Sequence, residues 1–379
     1  MRVLRGLLPA RWIWRDALLP FVASRLGLFY VAWLSDALLQ PAGPERTSPN
    51  NWLVNVLARS DSLWYLSITQ AGYGGFAERG YTNYAFSPVL PLVMKFGGFF
   101  LRRDDADTLL RVGILAANAA GLIALGLLVA LARRELGAER AAVVGWAFAV
   151  FPTAFFLSAA YSESFFLAPA VGALLAARSG RWGVAGLLGA AATLARPVGV
   201  VMAAPLALEW WTQWRAGRAR GAESLWVLLL PAVYLAWDGY LGWISGDPLT
   251  ALTAQAAWNR RLTWPWETLS DLLTRTTAPH GYGNSSMDVA FALAFGLLVI
   301  VSWWKLPRTL ALGATALYLP VLSTGSLQST TRFCLAVFPV FLLAGVWGER
   351  HPAVRAYLVA SPILAGLLMA FFATGYWVA

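Results

Sequence analysis

Long apolar runs, separated by short Arg-bearing stretches and by two long polar segments, set the pattern of this chain. The runs fall at roughly residues 16–40, 108–132, 141–158, 163–178, 182–195, 198–214, 224–243, 288–304, 308–322, 333–348 and 355–375. About 20 apolar residues cross the hydrocarbon layer as a helix, which satisfies its backbone groups internally. The pattern predicts an all-α polytopic membrane protein with about eleven transmembrane helices. Several runs are under 18 residues, which predicts tilted or re-entrant pieces. The stretch 87–101 (SPVLPLVMKFGGFFL) is also apolar. Counting it as a span would invert every later loop, so it reads as a helix lying at the membrane interface, with Pro88 and Pro91 at its start.

Composition excludes a soluble domain. The chain of 379 residues is 59% apolar and 13% charged, whereas soluble proteins run at about 45–50% and 25%. Its formal net charge of +10 would suggest nucleic acid in a soluble protein. Here the basic residues cluster in short turns, which is the positive-inside pattern, so the charge points to membrane lipids and away from nucleic acid. With the N-terminus inside, segments 1–15, 133–140, 178–181, 215–223, 305–308 and 349–355 carry 16 basic residues. The long loops 41–107 and 244–287, with Arg46, Arg79 and Arg275 among their cations, then face outwards. The first run carries Arg25 and Asp36 and lacks a small-residue cleavage site, which predicts a retained helix. Only Lys95 and Lys305 are lysines among the 29 basic residues. That bias suits an Arg-rich bacterial proteome and a place in the cytoplasmic membrane. No repeat or linker divides the chain, so residues 1–379 read as one domain.

Cys334 is the single cysteine, and His280 and His351 lie far apart, so neither a disulfide nor a zinc-type ligand set is expected. Asp105–Ala106–Asp107 has the form of a metal-binding triplet but sits in a short polar turn. No metal and no cofactor are expected.

The candidate chemistry lies in the expected outer segments. Asp61 in RSDSLWYLSITQAGY (59–73) shares a helix face with Trp64 and Tyr65. It reads either as part of a helix cap with Ser60 or as a carboxylate able to take a proton from a hydroxyl. Glu163 follows Tyr161 and Ser162 in a turn between two apolar runs. It either serves the helix dipole or binds substrate. Arg196 in LARPVG and Arg332 in SLQSTTRF stand at membrane edges, where each either snorkels to headgroups or grips a phosphate bidentately. Trp258 and Arg260, beside Arg261 and Trp264, suit a sugar and a phosphate, or a plain interfacial belt.

Taken together, these segments resemble the second mannosyltransferase of GPI-anchor synthesis (the PIG-V-like family) and its bacterial relatives in the GT-C superfamily. The resemblance rests on residues 59–73, FSPVLPLVMK (86–95), FPTAFFLSAAYSESFFL (151–167), RSGRW (178–182), LARPVG (194–199), GDPLTALTAQAAW (246–258, with Gln255) and Arg332-Phe333 with Pro339. It implies a GT-C-like bundle with juxtamembrane helices in the first outer loop. It implies a polyprenyl-phosphate-mannose donor, an active site on the outer face, and Asp61 as the acidic residue. Trp64, Tyr65, Tyr161, Glu163, Arg196, Gln255, Trp258, Arg260 and Arg332 are then the substrate-binding candidates. Two positions depart from the family pattern: Ser60 stands where Trp is more common, and Phe333 where the late motif usually has Tyr.

The expected reaction is an inverting transfer of mannose from a polyprenyl-phosphate carrier to an acceptor hydroxyl of a glycan, lipid or protein. Asp61 would act as base and Arg as the phosphate clamp. Two other classes remain open on the sequence: a lipid or glycan transporter, since short broken helices with buried charge also serve transport, and a non-catalytic membrane scaffold.

Overall fold

The computed structural model describes residues 11–43, 47–48, 51–75, 77–78, 81–275 and 285–378. Arg2, Arg5, Arg46, Arg79 and His280 lie outside these residues, as does 276–284 of the second long loop. Among the described residues the only strands are the two-residue antiparallel pair Ala77–Glu78 and Tyr81–Thr82. Everything else regular is helical, as the apolar periodicity requires.

Among the described residues five helices are long and apolar enough to cross a membrane: Ile13–Leu38, Ala106–Leu136, Gly221–Ser245, Ser286–Lys305 and Pro352–Ala373. Thr330–Ala336 and Phe338–Trp347 make a sixth candidate, bent by 75° at the break between them. The chain is an integral, multi-pass membrane protein. The other expected spans are shorter or interrupted among the described residues, so a count of eleven full-length spans is not confirmed. Run 141–158 divides into helix Ala138–Ala149 and a 3₁₀ turn Ala154–Leu157, with Pro152 between them. Run 198–214 begins as a 3₁₀ turn, Pro197–Met202, before helix Ala203–Arg215. Glu163–Arg178, Trp182–Ala195 and Arg308–Leu322 have 16, 14 and 15 residues. Proline explains the breaks at 152 and 197, because it removes a backbone donor and clashes with the preceding turn. The stretch 87–101 forms helix Val89–Leu101, which packs on Ala106–Leu136.

Close backbone approach holds the bundle. Lipid tails are as apolar as Leu, so packing and hydrogen bonds, more than burial itself, drive association inside a bilayer. A Cβ on Gly186 would lie 2.5 Å from Trp226 O, and one on Gly145 would lie 2.1 Å from Asp16 O. Only glycine permits either approach. At the bundle end opposite the cavity described below, Arg178 pairs with Glu135 (2.6 Å) and Glu209 (3.0 Å). Glu209 also accepts from Gln213 and Thr309, which ties helices together there.

The segment 151–164 is buried yet largely non-helical, so each of its backbone groups needs a partner. Arg25 supplies two donors from within the first span, to Ala149 O (3.4 Å) and Ala154 O (3.0 Å). Ser158 Oγ donates to Asn118 Oδ1 (2.8 Å), Asn118 Nδ2 donates to Ser158 O (3.3 Å), and Ala160 N donates to Leu57 O (3.1 Å). This pinned segment delivers Tyr161, Ser162 and Glu163 to the cavity.

Candidate active site

Asp61 is the first residue of helix Asp61–Ala71 and is 9% exposed. Ser60 before it has φ +49° and ψ −109°, a conformation that suits glycine. Its side chain makes no capping bond, so the capping alternative for Ser60 is not met. The turn is held from outside itself. Tyr161 Oη donates to Arg59 O (3.0 Å) and accepts from Asp61 N (3.3 Å), while Arg59 Nη2 donates to Ala373 O (2.9 Å). Burial and the charge of Asp61 keep the Tyr161 phenol well above its ordinary pKa. It stays protonated and serves as a fixed strut.

Glu163 begins helix Glu163–Arg178 and is 2% exposed. Its Oε1 pairs with Arg196, which stands in extended backbone between Trp182–Ala195 and Pro197–Met202. The same Oε1 lies 3.4 Å from Arg332 Nε. Arg332 Nη1 donates to Asp61 Oδ2 at 2.7 Å. Two carboxylates and two guanidiniums therefore alternate in one buried chain. Asp61 Oδ1 accepts no hydrogen bond from the described residues.

Arg332 is set by a clamp that the sequence reading missed. Ser329 has φ +69°, and Thr331 is fixed on both sides. Asp288 Oδ1 accepts from Thr331 N (3.0 Å) and Oγ1 (3.2 Å), and Thr331 O accepts from Thr153 Oγ1 (3.0 Å). Ser285 caps the Asp288 helix and donates to Asp288 Oδ2. The signal for Asp288 was present: a Ser-x-x-Asp start to an apolar helix, with an acid at the membrane edge.

Arg260 follows Asn259, whose φ is +55°. Burial, and next the charge of Arg332, lower the Arg260 pKa to about 10. Among the described residues no carboxylate lies within ion-pair distance of it. Trp258 packs edge-on against Tyr81 (4.8 Å), Phe86 (5.6 Å) and Trp64 (5.9 Å). Gln255 Nε2 donates to Ala85 O (3.3 Å). Three of the four non-glycine residues with positive φ among the described residues thus sit within three positions of Asp61, Arg260 or Arg332. Such strain persists where surrounding contacts over-determine it, commonly at functional sites.

These groups enclose a cavity of about 120 Å³. Asp61, Tyr65, Tyr161, Glu163, Arg196, Gln255, Trp258, Arg260 and Arg332 all line it. Trp64 does not; it backs the wall by stacking on Phe86 at 5.8 Å. Phe86, Phe333 and Trp377 also line it and were not foreseen as site residues. Trp377 lies far from every quoted motif, so no local pattern marked it. Glu163 Oε2, Arg260 Nε and Arg332 Nε are buried without hydrogen-bond partners. Buried polar atoms are rarely left so, and here they surround a space able to hold a polar ligand. Three guanidiniums against two carboxylates leave the cavity formally cationic. Asp105 caps helix Ala106–Leu136 through Thr108, and Asp107 accepts from Ser48, so that acidic triplet is structural. Among the described residues no three His, Cys, Asp or Glu side chains come together.

Residues 34–211 match the family described as Mannosyltransferase (PIG-V). A little under half of the chain is thus similar to the PIG-V mannosyltransferases. The match takes in Asp61, Tyr161, Glu163 and Arg196 and stops short of Trp258, Arg260 and Arg332. ArnT from Cupriavidus metallidurans, solved with undecaprenyl phosphate bound, superposes with a TM-score of 0.53 at 15% identity, over 93% of this chain and 71% of that one. The apo oligosaccharyltransferase of Archaeoglobus fulgidus superposes with a TM-score of 0.51 at 14% identity, over 94% of this chain. This chain spans 56% of that enzyme's length. At such identities the likeness is one of fold alone. No curated protein matches the sequence.

Proposed function

We propose that the chain is a glycosyltransferase that moves mannose from a polyprenyl-phosphate carrier to an acceptor hydroxyl, with inversion, at the outer face of the bacterial cytoplasmic membrane. One observation carries the reading: Arg260 is a half-buried cation, its Nε buried, with no carboxylate partner among the described residues, beside a charge-balanced chain of Asp61, Arg332, Glu163 and Arg196. A buried charge without a counterion is costly, and an anionic ligand removes the cost. The PIG-V resemblance and the undecaprenyl phosphate of ArnT support a lipid-linked phosphate as that anion.

The roles follow from the pairing. Asp61 Oδ2 is held by Arg332, which aims the carboxylate and leaves Oδ1 for the acceptor hydroxyl. The acceptor oxygen forms its bond to the anomeric carbon, and its proton goes to Asp61. The carbon–oxygen bond to phosphate breaks, and its electron pair leaves on polyprenyl phosphate. Arg260 stabilises the charge that grows there, with Arg332 sharing through its Nε, which is ion-paired to Glu163 but makes no hydrogen bond. The phosphate role thus shifts from Arg332, the sequence expectation, towards Arg260, because Arg332 is already committed to Asp61. Trp258 and Tyr65 border the sugar, and Glu163 Oε2 is placed to accept from a sugar hydroxyl.

Undecaprenyl phosphate binding to the purified protein in lipid nanodiscs tests this. Arg260→Ala is expected to weaken binding by at least tenfold, and Arg260→Lys to recover part of it. Equal affinity in wild type and Arg260→Ala overturns the phosphate assignment.

A further inference from the structure

The cavity gathers three cations around one ring. Phe333 lines it, and its ring centroid lies 4.8 Å from Arg260 Cζ, 5.2 Å from Arg332 Cζ and 5.3 Å from Arg196 Cζ. All three fall inside the roughly 6 Å range of cation–π attraction. Like charges this close repel one another, and the neighbouring carboxylates relieve only part of that: Glu163 is shared by Arg196 and Arg332, Asp61 engages Arg332, and among the described residues no acid forms an ion pair with Arg260. Another carboxylate would gather the cations at the expense of cancelling them, and the anion site would vanish. A phenyl ring attracts cations through its quadrupole and brings no net charge.

We infer that Phe333 is a positioning residue that holds Arg196, Arg260 and Arg332 together as an undischarged phosphate-binding cluster. The inference rests on the lipid-phosphate reading above and adds to it a reason for an apolar ring among buried charges. The backbone agrees. Phe333 closes the short helix Thr330–Phe333, whose Thr331 is fixed by Asp288 and Thr153, so the ring has a defined place from which to act. Tyr at this position would keep the ring and add a hydroxyl. Leu would keep an apolar side chain and lose the quadrupole.

Ring fluorination separates the electrostatic role from simple filling of space, since each fluorine weakens the quadrupole with little change in size. Phenylalanines carrying one, two and three ring fluorines are placed at position 333 of the full chain. Undecaprenyl phosphate affinity is then measured in nanodiscs, with uncharged undecaprenol as the control ligand. The expected result is a stepwise loss of phosphate affinity reaching roughly tenfold with three fluorines, unchanged undecaprenol binding, near-native affinity in Phe333→Tyr and a loss of at least tenfold in Phe333→Leu. Affinity that stays flat across the fluorinated series, while Arg260→Ala still weakens binding, overturns this inference and leaves the lipid-phosphate reading standing. No phosphate binding by the unmodified protein overturns both.

Discussion

Asp61 and Arg332, separated by 271 positions in the chain, meet at 2.7 Å in the wall of the cavity. The contact joins the start of a short helix in the first long loop to a bent helix pair near the other end of the chain. Each partner is prepared by strained backbone, Ser60 before Asp61 and Ser329 before Arg332, and each is braced by a neighbour, Tyr161 for the first and Asp288 for the second.

Ser60 gives a backbone test. At φ +49° glycine adopts the turn without the strain that a Cβ imposes. Ser60→Gly is expected to leave stability unchanged or raise it by up to about 1 kcal/mol. Ser60→Val is expected to lower it, because a β-branched residue fits this region poorly. Thermal unfolding in detergent measures both. A stabilising Ser60→Val contradicts the geometry.

Asp288 gives a test of the Arg332 clamp. Asp288→Ala leaves the buried Thr331 N–H without its acceptor, at a cost of about 1–3 kcal/mol. Asp288→Asn keeps an acceptor oxygen for Thr331 and is expected to recover most of that loss. Turnover should follow the same order with donor affinity less affected, because the misplaced group is the partner of Asp61. Full turnover in Asp288→Ala separates the clamp from the site.

Much of this was legible in the sequence because membrane helices declare themselves through long apolar runs and their ends through arginine. Asp61, Glu163, Arg196 and Arg332 stood out as charges at the edges of those runs. What the sequence did not show was who pairs with whom. Arg332 reads as a free phosphate ligand when its neighbours are Thr331 and Phe333; only the fold brings Asp61 and Glu163 to it and leaves Arg260 without an ion-paired acid among the described residues. The expected count of eleven spans is not confirmed, for a related reason. Run 141–158 is apolar throughout, yet Pro152 and the donors from Arg25 allow a buried non-helical stretch there. Trp377 and Asp288 reach the site through the packing of distant helices, which no local pattern reports.

Topology is open to a clean labelling test, since Cys334 is the sole cysteine and is fully buried. Single cysteines introduced at exposed positions near residues 102–105 are expected to react with a membrane-impermeant maleimide on intact cells. Cysteines in 215–223 are expected to react only after lysis. The opposite pattern reverses the orientation and moves the cavity to the inner face.

Metal dependence has its own test. Asp61 and Glu163 are both engaged by guanidiniums, and in the proposed scheme the arginines take the place of a cation at the monophosphate leaving group. Transfer is expected to continue at the same rate after EDTA treatment and dialysis. A loss that a divalent cation restores contradicts the arginine-only scheme.

The most direct measurement is transfer itself. Purified protein is incubated with undecaprenyl-phosphate-linked mannose and membrane glycolipid extract, and the glycosylated product and released undecaprenyl phosphate are followed by mass spectrometry. The expected result is product formation by the wild type and a fall of about 10²–10⁴-fold in Asp61→Asn, with undecaprenyl phosphate binding retained within a few-fold. An Asp61→Asn protein that transfers at the wild-type rate, or a wild type that leaves the donor intact with every acceptor fraction, contradicts Asp61 as the base of a mannosyl transfer.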